Sequence, residues 1–132
     1  MTESWDVLVI DDELVVRDAV DRVLAEEGLR VARAADGAEA LGHPALATCR
    51  LVILDLMLPD RSGIEVLRAL QAARPRLPVV VITGYAIHEK TSRAMDAGAV
   101  DYLPKPFEAS ELLTVVRRAL ESQAGAAEEN RS

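Results

Sequence analysis

The chain changes hydrophobic period five times, and that alternation limits its fold more than any single residue does. Short apolar runs stand at residues 6–10, 30–34, 51–55, 79–82 and 100–103, and each is followed by a stretch of helical spacing. Apolar residues that recur at i, i+3 and i+4 read as a helix, while short continuous or alternating runs read as strands. The third and fourth runs, Leu51–Asp55 and Val79–Ile82, are almost wholly apolar. A strand buried on both faces has that composition. Strands that alternate with helices predict an α/β fold: one parallel sheet, right-handed crossovers and helices on both faces.

The helical stretches carry their own punctuation. Val16, Val20, Val23 and Leu24 form an apolar stripe in a first helix predicted over 13–27, with Gly28 as its stop. Asp36-Gly37-Ala38-Glu39 and Ser62-Gly63-Ile64-Glu65 have capping-box spacing and open the second and third helices. Ile64, Leu67 and Leu70 line one face of the third. The fourth helix is predicted over 87–97 and ends at Gly98. The fifth, predicted over 109–121, buries Leu112, Leu113, Val116 and Leu120. Residues 1–121 read as one domain. Residues 122–132 are polar and Ala-rich without a periodic apolar face, and are expected to be a flexible tail or the start of a linker.

Composition narrows the function classes. Fifteen basic against 22 acidic residues give a formal charge of −7, which argues against a direct nucleic-acid surface in this segment. Aromatic residues make up only 3%, so the core must be aliphatic. The single Cys49 has no internal disulfide partner and reads as a reduced structural thiol. No apolar run approaches the ~18 residues of a membrane span, and no signal peptide is evident. A cytoplasmic protein without membrane contact is the expectation.

The chemistry lies at the strand ends. Asp11-Asp12 follow the first strand, Asp55 closes the third, Thr83 follows the fourth and Lys105 follows the fifth. In a parallel sheet, ligands bind outside the carboxyl ends of the strands, so these residues should gather at one edge. Taken singly, each has a blander reading. An Asp pair suits a helix N-terminus, a threonine suits a turn and a lysine suits a solvated surface. Together, three carboxylates, a hydroxyl and an ammonium suggest metal-assisted phosphoryl chemistry. Two like unit charges ~4 Å apart repel by about 4 kcal/mol at an effective dielectric near 20, and a cation offsets that cost. Mg²⁺ suits an oxygen-only set of few carboxylates. A carboxylate such as Asp55 is also a competent covalent nucleophile.

With these residues in this order, the chain resembles the receiver domain of two-component response regulators over about residues 5–121. Ala35-Asp36-Gly37, Leu58-Pro59-Asp60, Gly63, Ala97-Gly98-Ala99 and Lys105-Pro106 also stand at familiar places. The resemblance implies a flavodoxin-like (βα)5 fold with strand order 2-1-3-4-5. It implies Asp55 as phosphate acceptor, Asp12 as the main carboxylate on Mg²⁺ and Asp11 as a direct or water-mediated ligand. The backbone carbonyl of Met57 is a further ligand by resemblance. Lys105 would neutralise the phosphoryl group and Thr83 would donate to one of its oxygens. Tyr102 would then change rotamer and alter the surface of the fourth helix, fifth strand and fifth helix. Receivers often have a cis peptide at the Lys105-Pro106 position, and the sequence leaves the isomer open.

The implied partner is a sensor histidine kinase or phosphotransfer protein, with homodimerisation through the switched surface as a further outcome. The phosphodonor histidine would then belong to that partner, and His43 and His88 read as surface residues. Such a chain is a switch with self-phosphorylation and self-dephosphorylation chemistry, not an enzyme in role. The competing function is a Mg²⁺-dependent phosphatase of the haloacid-dehalogenase type. That chemistry needs an acid/base group two residues after the nucleophile, where Met57 stands. A flavin or nucleotide binder lacks its Gly-rich phosphate loop here. Met57 and Tyr85, two residues after Asp55 and Thr83, offer little to orient an attacking water and predict a persistent phosphoryl group. The output domain or partner, and whether the segment is a whole regulator, are left open by the sequence.

Overall fold

The computed structural model describes residues 4–84 and 88–129, with side chains described through 121 except those of His88 and Glu89. Five strands form one sheet: β1 (Val7–Ile10), β2 (Val31–Ala34), β3 (Leu51–Asp55), β4 (Val79–Thr83) and β5 (Asp101–Pro104). Their order is β2-β1-β3-β4-β5 and every pairing is parallel. The helices are α1 (Leu14–Glu26), α2 (Gly37–Leu41), α3 (Gly63–Ala73), α4 (His88–Asp96) and α5 (Ala109–Glu129), with a 3-10 turn at Pro44–Ala47. This is the expected flavodoxin-like architecture.

The pleat sorts the strand residues into two aliphatic cores. Val7, Val9, Leu51, Ile53, Val80, Ile82 and Leu103 face α1 and α5, where Val20, Leu24, Leu112 and Val116 meet them. Leu8, Ile10, Val52, Leu54, Val79 and Val81 face the other way, against Val66, Leu67, Leu70 and Ala94. Every residue of β1, β3 and β4 is buried, which accounts for their unbroken apolar runs. On β5, by contrast, Leu103 alone is buried, as suits an edge strand.

Local signals set the helix ends. Asp36 accepts the Glu39 N–H at 2.8 Å and Glu39 reaches back to the Ala35 N–H at 3.2 Å, so the expected box closes one residue early. Ser62 caps α3 through the Ile64 N–H at 3.2 Å, without the reciprocal Glu65 bond expected of a full box. Gly28 ends α1 at φ +81° and Gly98 follows α4 at φ +109°, conformations that favour glycine.

One expectation needs correction. Helix α5 runs to Glu129, eight residues past the end predicted at 121. Alanine and glutamate are strong helix formers, and backbone propensity sustains a helix that an apolar stripe would not have revealed. None of the helices among the described residues is long and apolar enough to cross a membrane.

Candidate functional site

Strand parity aims the site. Asp11 follows Ile10, Asp55 closes β3 and Lys105 follows Pro104, so all three continue on the α1/α5 side of the sheet. Thr83 continues on the α4 side. Parallel register brings the ends level, with Asp55 opposite Ile82 and Thr83 opposite Pro104.

Asp11 is fully buried. Its Oδ1 accepts the Glu13 N–H at 2.8 Å and turns the chain into α1, while its carbonyl accepts Arg17 Nη1 at 2.7 Å. Asp12 and Glu13 are exposed beside it. Asp55 is 2% exposed, and its Oδ1 accepts the Met57 N–H at 2.9 Å. Lys105 Nζ joins the groups: 2.7 Å from Asp11 Oδ2, 3.0 Å from Glu13 Oε1 and 3.1 Å from Asp55 Oδ2. Its backbone N–H donates to the Thr83 carbonyl at 2.8 Å, and the Lys105-Pro106 peptide is cis. Thr83 is buried.

Lys105 thus serves as counter-charge to three carboxylates. Burial by itself would lower its pKa, but Asp11, Glu13 and Asp55 outweigh that and hold it well above the ordinary lysine value. Asp55 is pushed up, first by burial and then by Asp11; the Met57 N–H and Lys105 offset part of this.

The residues fit a hard divalent cation. Asp11, Asp12, Glu13 and Asp55 each offer a carboxylate oxygen, and these lie within 4.8 Å of one another. Asp11 Oδ2 is buried, with the Lys105 ammonium 2.7 Å away. An all-oxygen set of few carboxylates, one of them buried, suits Mg²⁺. Glu13 is the member that sequence reasoning missed. Its signal was present as the third acid of Asp11-Asp12-Glu13, but it read there only as the start of a helix.

The remaining expected residues surround this cluster. Met57 is half exposed, and its loop is closed by a bridge to Ser62 and by the Gly63 N–H on the Leu56 carbonyl at 3.1 Å. Tyr102 is 46% exposed. A groove of about 400 Å³ links it to Thr83, between Thr91, Ser92 and Met95 of α4 and Pro104 of β5. His43 sits away from the cluster, where its Nδ1 accepts the Ala45 N–H at 3.0 Å. Tyr85 lies outside the described residues.

Comparison with known proteins gives the family and the fold. The family model of the response regulator receiver domain matches residues 7–117. The response regulator MprA of Mycobacterium sp. (strain KMS) is 41% identical over 114 residues, covering 86% of this chain and 50% of the relative. The chain therefore spans about half the length of the curated relatives it matches. The receiver domain of NtrX from Brucella abortus is 39% identical at a TM-score of 0.83, covering 88% of this chain and 98% of that one. A CheY-like receiver domain protein from Methanospirillum hungatei JF-1 is 29% identical at a TM-score of 0.86, covering 94% and 99%. The chain belongs to the response regulator receiver domain family, the signalling domains of two-component systems.

Proposed function

We propose that Asp55 accepts a phosphoryl group from a sensor histidine kinase or phosphotransfer protein, and that this charge switches the surface of α4, β5 and α5. The observation that carries the reading is a buried Asp55 held between Lys105 and the acidic cluster at the carboxyl end of the sheet. Burial lifts the Asp55 pKa, while Oδ1 accepts the Met57 N–H and Oδ2 faces the Lys105 ammonium. Attack by Oδ2 forms the new O–P bond, and the donor's leaving group departs with the electron pair. Lys105 then shifts from compensating carboxylates to compensating phosphoryl oxygens, as a compact cation can.

Asp11, Asp12 and Asp55, with the carbonyl of Met57, would hold Mg²⁺, and Glu13 stands close enough to join through a water. When bound, the ion would neutralise charge on the cluster and on phosphoryl oxygens. Thr83 would donate its hydroxyl to the phosphoryl group. The groove between Thr83 and the exposed Tyr102 gives the ring a place to go when Thr83 is drawn toward Asp55. Such a phosphoryl group biases a two-state element, and it does so only through its differential contacts in the two states.

The reading carries a cytoplasmic location, a kinase partner and homodimerisation on the switched face. It assigns this segment no direct nucleic-acid contact and no membrane contact. Membership of the receiver family sets aside the phosphatase alternative, for which Met57 offers no acid/base group. The test is incubation with Mg²⁺ and acetyl phosphate followed by intact-mass measurement. One phosphoryl addition is expected in the wild type and none in Asp55→Asn; equal addition to both would refute the assignment.

A further inference from the structure

Beside the acidic cluster lies a second groove of about 320 Å³, between the loop after β3 and helix α4. Its floor is apolar, with Leu56, Leu58 and Ile64, and Arg61, Lys90 and Arg93 line its walls. Lys90 and Arg93 are three residues apart on α4 and so share one face. In a chain of formal charge −7, three cations on one groove are a local reversal of sign.

The groove does not neutralise itself. Its acid, Asp60, directs its two oxygens to the Gly37 and Ala38 N–H groups at 3.0 Å each, and Arg61 Nε stands 3.4 Å away. Among the described side chains no carboxylate pairs with Lys90 or Arg93. Lys90 Nζ instead donates to Met57 Sδ at 3.0 Å, and a thioether is a weak acceptor. Met57 in turn donates its N–H to Asp55 Oδ1 at 2.9 Å. Met57 therefore touches the Lys90 ammonium through its side chain and the Asp55 carboxylate through its backbone.

Four carboxylates against the single ammonium of Lys105 leave the cluster formally at −3 before any cation binds. A negatively charged donor must approach that field. A cation at the rim lowers the electrostatic barrier to encounter, an effect that salt screens.

Resting on the acceptor reading of Asp55, we propose that Lys90, supported by Arg93, steers anionic phosphodonors to Asp55 and so makes the site selective for donors of high negative charge. The transfer is balanced: acetyl phosphate gives its phosphoryl group to Asp55 Oδ, the donor's P–O bond breaks and acetate leaves with the pair. Acetate leaves as an anion, so a rim cation favours the donor's approach and stabilises the charge that develops on the leaving group. Phosphoramidate carries less net charge and loses a neutral amine after protonation, so it gains less.

The experiment compares initial Asp55 labelling by acetyl phosphate and by phosphoramidate at low ionic strength and saturating Mg²⁺. With acetyl phosphate, Lys90→Ala should lower the second-order rate constant about fivefold, Lys90→Glu more, and Lys90→Arg should restore it. With phosphoramidate, Lys90→Ala should change the rate less than about twofold. The gap between donors should close as the screening length falls from about 10 Å at 0.1 M salt to about 3 Å at 1 M. Arg50→Ala, before β3 at the opposite end of the sheet, should leave both rates unchanged. Unchanged acetyl phosphate kinetics in Lys90→Ala, or an equal loss with both donors, overturns the steering role while leaving Asp55 as acceptor. No labelling of the wild type by either donor overturns the acceptor reading and this proposal with it.

Discussion

Replacing Gly63 by alanine would test how tightly the loop that leaves Asp55 is built. A Cβ at this position would lie 2.4 Å from Leu56 Cα, 2.8 Å from the Leu56 carbonyl oxygen and 2.9 Å from the Asp55 carbonyl oxygen. Ordinary carbon contacts are ~3.5–4.0 Å, and all three neighbours are backbone, so no rotamer can yield. Overpacking of this kind costs about 1–3 kcal/mol. Gly63 is not at positive φ, so alanine also gains about 0.5 kcal/mol through the unfolded chain and helix propensity. The net loss expected is about 1.5 kcal/mol, or roughly 5–8 °C in Tm for a domain of this size. Urea unfolding should show a lower midpoint with an unchanged slope. Because the displaced atoms belong to Asp55 and Leu56, Mg²⁺ should also stabilise the variant less than the wild type. Gly42→Ala is the control: its nearest neighbour is the Ala38 carbonyl oxygen at 3.6 Å, and it should change stability by less than about 0.5 kcal/mol. Full stability in Gly63→Ala, or equal losses in the two variants, would refute the packing argument.

Other consequences follow from the cluster. Asp55→Asn should stabilise the metal-free protein at neutral pH, because burial and Asp11 raise the Asp55 pKa and make its charged form costly in the folded state. With a raised folded pKa, the stability linked to Asp55 is complete below the unfolded carboxylate pKa and is lost as pH rises through the folded value. The Asn variant's Tm advantage should therefore vanish toward acid pH, and a constant advantage down to pH 3 would contradict the linkage. Thr83→Ala should still be labelled at Asp55 but lose the response of α4, β5 and α5 in hydrogen exchange; a full response would misplace the coupling. Met57→Asn should shorten the lifetime of the phosphoryl group by supplying a side chain that can orient water, which phosphate-loss kinetics would measure.

Much of the fold could be read in the chain because the sheet is buried on both sides. Leu51–Leu54 and Val79–Ile82 carry unbroken apolar runs since alternate residues feed two different cores. The strand-end positions of Asp11, Asp55, Thr83 and Lys105 follow from that register, which brings Asp11, Asp55 and Lys105 together and turns Thr83 to the α4 side. The extra turns of α5 did not emerge, because an Ala- and Glu-rich helix end has propensity without periodicity. Glu13 was hidden for a related reason: an acid at a helix start has an ordinary dipole role, and its 3.0 Å contact with Lys105 joins residues 92 positions apart. Lys90 was equally silent, since its thioether neighbour comes from another element 33 residues away.

The account turns on which side chain carries the phosphoryl group. After reaction with acetyl phosphate and Mg²⁺, borohydride reduction converts an aspartyl phosphate to homoserine at the modified position, and peptide sequencing by mass spectrometry reads where it lies. The account predicts homoserine at position 55 alone, absent when Mg²⁺ is chelated and absent in Asp55→Asn. Homoserine at position 11 or 12, or a label that resists alkali and leaves position 55 intact, would contradict it.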